Sequence, residues 1–173
     1  MSSTPTSSAV TEPSCGADPA ELTLWLCSVP SPIGEEQVLC DALLARAERH
    51  WSLPAAPTRV LNSIYVPLVR GHASKRIALV GHLDTVRTQH DGPPRIEGDR
   101  LYGCGSADMK SGLALMMAVA EDPALRARLV GHADVSLVFY SREEGPYAEN
   151  ELGPLLDAVP ELGGHDLAIC LEP

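Results

Sequence analysis

Two stretches near the start of the chain repeat apolar residues at helical spacing, and three later stretches run apolar almost unbroken. In "DPAELTLWLCS", residues 18–28, Leu22, Trp25 and Leu26 share a face; Asp18 caps the helix and Pro19 takes its first turn. "SPIGEE" opens a second helix reaching about Arg49, with Val38, Leu39, Ala42 and Leu43 on its buried side. Residues 58–70, "TRVLNSIYVPLVR", read as a strand that is broken or lies at an edge near Pro67. Residues 76–82, "RIALVGH", form a strand with almost no polar residue before His82, which suits cover on both faces.

The loop "RTQHDGPPRIEGDRLYGCGSAD" follows, long and rich in Gly and Pro. A helix then spans about Lys110 to Glu121, with Leu113, Met116, Met117 and Ala120 inward. Asp122-Pro123 starts another short helix. "DVSLVFYSREE" and "DLAICLEP" are the last strands, with a helix between them around 149–159. Strands alternating with helices imply an α/β layered domain with a largely parallel sheet.

Composition narrows the functional classes. The chain has 173 residues, enough for one domain with a core, and 45% of them are hydrophobic. No apolar run approaches the roughly 20 residues of a membrane span. The opening "MSSTPTSSAVTEPSCGAD" lacks a basic patch followed by an apolar stretch, so residues 1–18 read as a flexible tail and the compartment as cytoplasmic. Five cysteines without a CxxC pair argue against a disulfide framework and a cysteine zinc site. A formal charge of −10, with 13 scattered basic residues, disfavours nucleic acid. The acid surplus suits bound cations.

Candidate chemistry gathers where the buried strands end. Residues i and i+2 of a strand point the same way, so His82 and Asp84 project together. Glu143 and Glu144 follow "VSLVFYS", and Glu172 follows "DLAICL". In open α/β sheets that edge is where ligands bind. Asp108 ends the Gly-rich loop immediately before a helix, whose first N–H groups favour an anion. Each feature alone has a plainer reading: a cap or surface role for His82 and Asp84, a solvated charge pair for Glu143 and Glu144, a helix cap for Asp108. Together they would repel one another strongly, and the simplest remedy is divalent metal, for which imidazole and carboxylate oxygens are suitable ligands.

"GHLDTV", "LYGCGSADMKSG", "FYSREEG" and "LEP", in this order and spacing, resemble the dinuclear zinc aminoacylase/carboxypeptidase family. "VPSPIGEE" is similar to the family's first helix, so the resemblance covers roughly residues 19–173. "GCGSADMKSG" and "VFYSREE...ENELGPLL" resemble most the actinobacterial type of succinyl-diaminopimelate desuccinylase within it. The resemblance implies a zinc-peptidase-like catalytic domain, with a largely parallel mixed sheet flanked by helices. It implies two Zn²⁺ ions, with Co²⁺ as an alternative, and a small N-acyl amino acid as substrate. Residue by residue, Asp108 resembles the bridging carboxylate, His82 and Glu172 ligands of one ion, and Glu144 a ligand of the other. Asp84 resembles the residue orienting the His82 imidazole and Glu143 the general base. The Asp108–Met109 peptide is expected to be cis.

Members of the family continue for about as long again beyond the motif that Glu172 matches. That further part carries the dimerisation domain, a second histidine ligand and most substrate-carboxylate contacts, so residues 19–173 correspond to the N-terminal portion of the catalytic domain. The second metal site is expected to be incomplete in this chain. His132 and His165 fall before strands and read as surface loop residues, and His90 matches no family ligand. Three activities stay open: desuccinylation, a related N-acyl amino acid deacylase or metallo-carboxypeptidase reaction of the acetylornithine deacetylase kind, and none at all for an inactive truncated fragment.

Overall fold

The computed structural model describes residues 10–71, 73–87 and 92–172. His90 and residues 1–9 of the expected tail lie outside them. The first helix, α1 (Pro19–Ser28), starts as its sequence signals: the Asp18 side chain accepts from Ala20 N and Pro19 sits in the first turn. Helix α2 is Gln37–His50. It starts later than expected because Ser31–Ile33 bond to another segment instead. Ile33 N donates to Thr85 O, and Thr85 N donates to Ser31 O. Val38, expected on the buried side, faces outward and is 63% exposed, while Leu39, Cys40, Leu43 and Ala47 are buried.

The 58–70 segment is two strands, β1 (Thr58–Val60) and β2 (Ser63–Val69). The break falls at Leu61–Asn62, not at Pro67, and Leu61 takes φ +53. Pro67 stays inside β2, at a register shift against its neighbour strand. A bulge spares the ladder bond that proline lacks, so an interior strand tolerates it there. Strand β3 (Arg76–His82) follows. The Gly- and Pro-rich loop contains a hairpin, β4 (Arg95–Glu97) and β5 (Arg100–Tyr102). Helices α3 (Ser111–Glu121) and α4 (Pro123–Leu129) precede β6 (Asp134–Tyr140). Helix α5 (Leu152–Ala158) leads to β7 (Leu167–Cys170).

The main sheet has the order β1-β2-β6-β3-β7. Strand β2 is antiparallel to β1 and β6, while β6, β3 and β7 are mutually parallel, so only β2 runs against the rest. Helices α1, α2 and α3 cover one face through Leu22, Leu26, Leu43, Leu113, Met116 and Met117, packed on Ile64, Val66, Leu137 and Phe139. On the other face, Leu155, Val159 and Leu162 cover Tyr65, Ala78, Val80 and Val138. Strand β3 is therefore covered on both sides, as its unbroken apolarity predicts.

Residues 10–17 are not free of the fold. Arg46, fully buried, donates to Glu12 Oε1, Pro13 O and Ser14 O, and pairs with Glu121 through Nε at 2.7 Å. Gly16 N also donates to Glu121 Oε2. This buried ion pair fastens the segment to α2 and α3. No helix among the described residues is long and apolar enough to cross a membrane.

Candidate metal centre

Because β3, β6 and β7 are parallel and adjacent, their C-terminal ends share one edge of the sheet. His82 is the last residue of β3, Glu143 and Glu144 lie just past β6, and Glu172 lies just past β7. Asp108 sits in a non-helical kink within Ser106–Lys110, and its peptide to Met109 is cis, as expected. Two glycines allow the close packing. A Cβ on Gly81 would stand 2.5 Å from Met109 Cε, and one on Gly112 would stand 2.4 Å from Leu171 O. Both contacts draw the Asp108 segment onto the strand ends.

The expected ligands fall into two groups that share His82. His82, Asp108 and Glu172 bring one ligand atom each within 4.8 Å of one another, and so do His82, Glu143 and Glu144. Asp108 belongs to the first group only. The His82 side chain is fully buried, whereas Asp108 and Glu172 are exposed. The cluster thus has an inner imidazole and an open carboxylate rim.

Asp84 divides its work differently from the sequence expectation. The His82 ring is held by the Asp84 main-chain carbonyl, 3.0 Å from Nδ1, with the carboxylate 3.5 Å away. A carbonyl only accepts, so Nδ1 carries a proton, and Nε2 lies 3.1 Å from Asp108 Oδ1. The Asp84 carboxylate also accepts from Glu143 N at 3.0 Å and Glu144 N at 2.9 Å. One buried side chain therefore sets both the imidazole and the following glutamates.

The electrostatics describe a site short of positive charge. Burial lowers the His82 pKa, but the bond and charge of Asp84, then Asp108 and Glu143, outweigh it and push it up to about 9. Burial and the negative charges of Asp108, Glu143 and Asp84 raise Glu144. Asp84 is pushed up by burial, yet the His82 contact and the two amides hold it below the usual carboxylate value. Carboxylates crowded around one imidazole, with an acceptor-only oxygen fixing its tautomer, form a donor set that fits a divalent cation such as Zn²⁺.

Residues 78–168, just over half the chain, match the sequence profile of peptidase family M20/M25/M40. The chain belongs to that family. A succinyl-diaminopimelate desuccinylase of Corynebacterium glutamicum is 38% identical over 157 residues, covering 90% of this chain and 42% of the relative. One of Gluconobacter oxydans is 34% identical over 151 residues, covering 83% and 38%. This M20 chain thus spans about two-fifths of the length of these curated relatives. Its fold matches the crystal structures of an M20 family metallo-carboxypeptidase from Sulfolobus solfataricus and a Staphylococcus aureus tripeptidase. The TM-scores are 0.72 and 0.67, at 17% and 20% identity, covering 90% of this chain in each case and 37% and 43% of those chains. The M20 family is one of metal-dependent hydrolases, and the fold and the family agree with the sequence resemblance.

Several residues beside the centre carry no sequence signal of their own. Lys110 is buried and donates to Leu26 O at 3.0 Å and Val29 O at 2.8 Å, tying the end of α1 to the Asp108 segment. Ser31 Oγ donates to Leu83 O and fixes the loop before α2 against the β3 terminus. Met109 Sδ accepts from His82 N at 3.1 Å. His132 is exposed and His165 half-buried at the N-terminal ends of β6 and β7, across the sheet from the centre.

Proposed function

We propose that this chain holds the catalytic carboxylates and metal ligands of a dizinc amide hydrolase that cleaves N-succinyl-L,L-diaminopimelate to succinate and L,L-diaminopimelate. The observation that supports it is the meeting of His82 with Asp108 and Glu172 on one side and Glu143 and Glu144 on the other. The substrate class follows the printed activity of the relatives and the resemblance of "GCGSADMKSG" and "VFYSREE". This reading places the reaction in the cytoplasm, on the route to lysine and cell-wall peptide. It assigns residues 19–173 to the N-terminal portion of the catalytic domain, with dimerisation and the remaining metal and substrate contacts supplied by the part of the relatives not matched here.

His82, Asp108 and Glu172 would hold one ion, and Glu144 would help to hold a second, with Asp108 shared between them as the family resemblance implies. Bound there, divalent ions supply Lewis acidity, lowering the pKa of a water molecule and stabilising an oxyanion. Glu143 takes the proton of the attacking water on its carboxylate and returns it to the leaving amine nitrogen. Asp84 keeps the Nδ1 proton of His82 in place through its carbonyl and fixes where Glu143 stands through its amide. Joining the chain to the C-terminal part of the Corynebacterium glutamicum relative that it does not match, loading the product with Zn²⁺ or Co²⁺ and assaying N-succinyl-L,L-diaminopimelate tests the reading. Hydrolysis should exceed that of Glu143→Ala by about 10²–10⁴-fold, the usual contribution of a general acid–base. A rate equal to that variant would reject the activity for this chain.

A further inference from the structure

The turn that carries Glu143 and Glu144 is fastened on both flanks, and only one fastener is Asp84. The other is a buried polar cluster outside both ligand groups. Ser63 and Ser141 are fully buried and Glu151 is 5% exposed. Glu151 Oε2 accepts from Asn62 N and from Ser63 Oγ, each at 2.9 Å. Ser63 Oγ in turn accepts from Ser141 N at 3.1 Å. Ser141 Oγ donates to Asn62 O at 2.9 Å, and Glu151 N donates to Ser141 O at 3.1 Å. Every polar contact of Ser141 therefore leads to the start of β2 or of α5.

Between this cluster and the Asp84-bonded amides stands one residue, Arg142. It takes φ +63, a left-handed conformation that a long side chain adopts only when its surroundings impose it. Its Nη1 bonds Glu149 Oε2 at 2.8 Å and its Nε lies 3.9 Å from Glu151 Oε1. An apolar residue in place of Glu151 would fill the same volume without burying a carboxylate, so packing alone does not account for it.

We propose that Glu151, acting through Ser63 and Ser141, is a positioning residue for the Glu143–Glu144 pair. It fixes the point at which the chain leaves β6, so that the Arg142 turn delivers both glutamate amides to Asp84. The inference rests on the reading of Glu143 and Glu144 as the working carboxylates.

The test uses the full chain with Ser63→Ala, Glu151→Met and Glu151→Gln. Glutamine keeps an acceptor for Asn62 N and Ser63, and so serves as the conservative variant. Amide hydrogen exchange read by NMR reports the turn without metal, and Co²⁺ titration reports the ligand group. In Ser63→Ala and Glu151→Met, Glu143 and Glu144 amides should exchange about ten-fold faster, while the core amides of α3 hold their protection. Co²⁺ affinity should fall about ten-fold in the same two variants, the low end for residues that orient ligands. Glu151→Gln should stay within about two-fold of wild type in both, far below the ten-fold that 1.4 kcal/mol would produce. Unchanged exchange at Glu143 and Glu144 in both disruptive variants overturns the proposal, and so does a loss of protection spread equally over α3. A wild-type chain that takes up no Co²⁺ sinks the metal reading, while the exchange data still decide whether Glu151 holds the turn.

Discussion

Replacing Asp84 by asparagine probes the joint on which the candidate centre turns. The side chain is 1% exposed, and its two oxygens accept from Glu143 N and Glu144 N. Asparagine keeps one oxygen and sets an NH₂ group where the other stood, so one amide loses its acceptor and faces a second donor. A hydrogen bond to a charged group is worth about 1.5–3 kcal/mol, and a buried donor left bare costs about 1–3 kcal/mol. These describe the same lost contact and do not add, so the expected destabilisation is about 2–3 kcal/mol. The glutamate turn should also move, and Co²⁺ affinity should drop about 10–100-fold, as when a residue that orients metal ligands is removed. Urea denaturation and Co²⁺ titration of the two proteins measure both effects. A stability change below about 0.5 kcal/mol, the level of an ordinary surface substitution, with unchanged Co²⁺ affinity, would refute the argument that Asp84 holds the pair.

Three further outcomes follow from the same geometry. His82→Ala removes the one residue common to both ligand groups among the described residues, so Co²⁺ affinity should fall by about 100-fold or more, equivalent to roughly 2.7 kcal/mol; retained affinity would place the ion elsewhere. Burial raises the Glu121 pKa, but bonds from Arg46, Trp51 and Gly16 N outweigh it and hold it below the usual carboxylate value. A folded pKa below the unfolded one gives stability at neutral pH that is lost as pH falls through the unfolded and then the folded value. Glu121→Gln should therefore cost about 3–5 kcal/mol at pH 7, and the gap from wild type should narrow below about pH 4; denaturation at the two pH values reads this. Burial pushes the Cys27 thiol up to about 11 and Cys40 to about 12, whereas Cys15 and Cys170 are exposed. Iodoacetamide at pH 8 should label Cys15 and Cys170 first and spare Cys27 and Cys40, with mass spectrometry as the check.

Much of the centre was legible because strand period and parallel pairing are simple rules. His82 and Asp84 share a side by the two-residue period, and the glutamates follow two other apolar strands. Once those strands are parallel neighbours, their ends must meet. What could not be read was tertiary. Nothing in "HLD" tells that the Asp84 carboxylate serves the amides of Glu143 and Glu144, 59 and 60 positions away. Leu61 at φ +53 makes the turn between β1 and β2 without a glycine, while Pro67 offers a stronger break signal at a place where a bulge absorbs it. The β4–β5 hairpin had a readable turn in Gly98-Asp99, masked by the surrounding glycines and prolines. The Ser-, Thr- and Pro-rich start reads as a tail, yet Arg46 collects Glu12, Pro13 and Ser14, an interaction with no local pattern.

The central claim is that His82 and the carboxylates around it bind a divalent ion. X-ray absorption of the chain loaded with one equivalent of Zn²⁺ tests it most directly. Nitrogen and oxygen scatterers at about 2.0–2.2 Å are expected, with an imidazole signature that disappears in His82→Ala. A sulfur shell near ~2.3 Å, or a spectrum indifferent to that substitution, would contradict it.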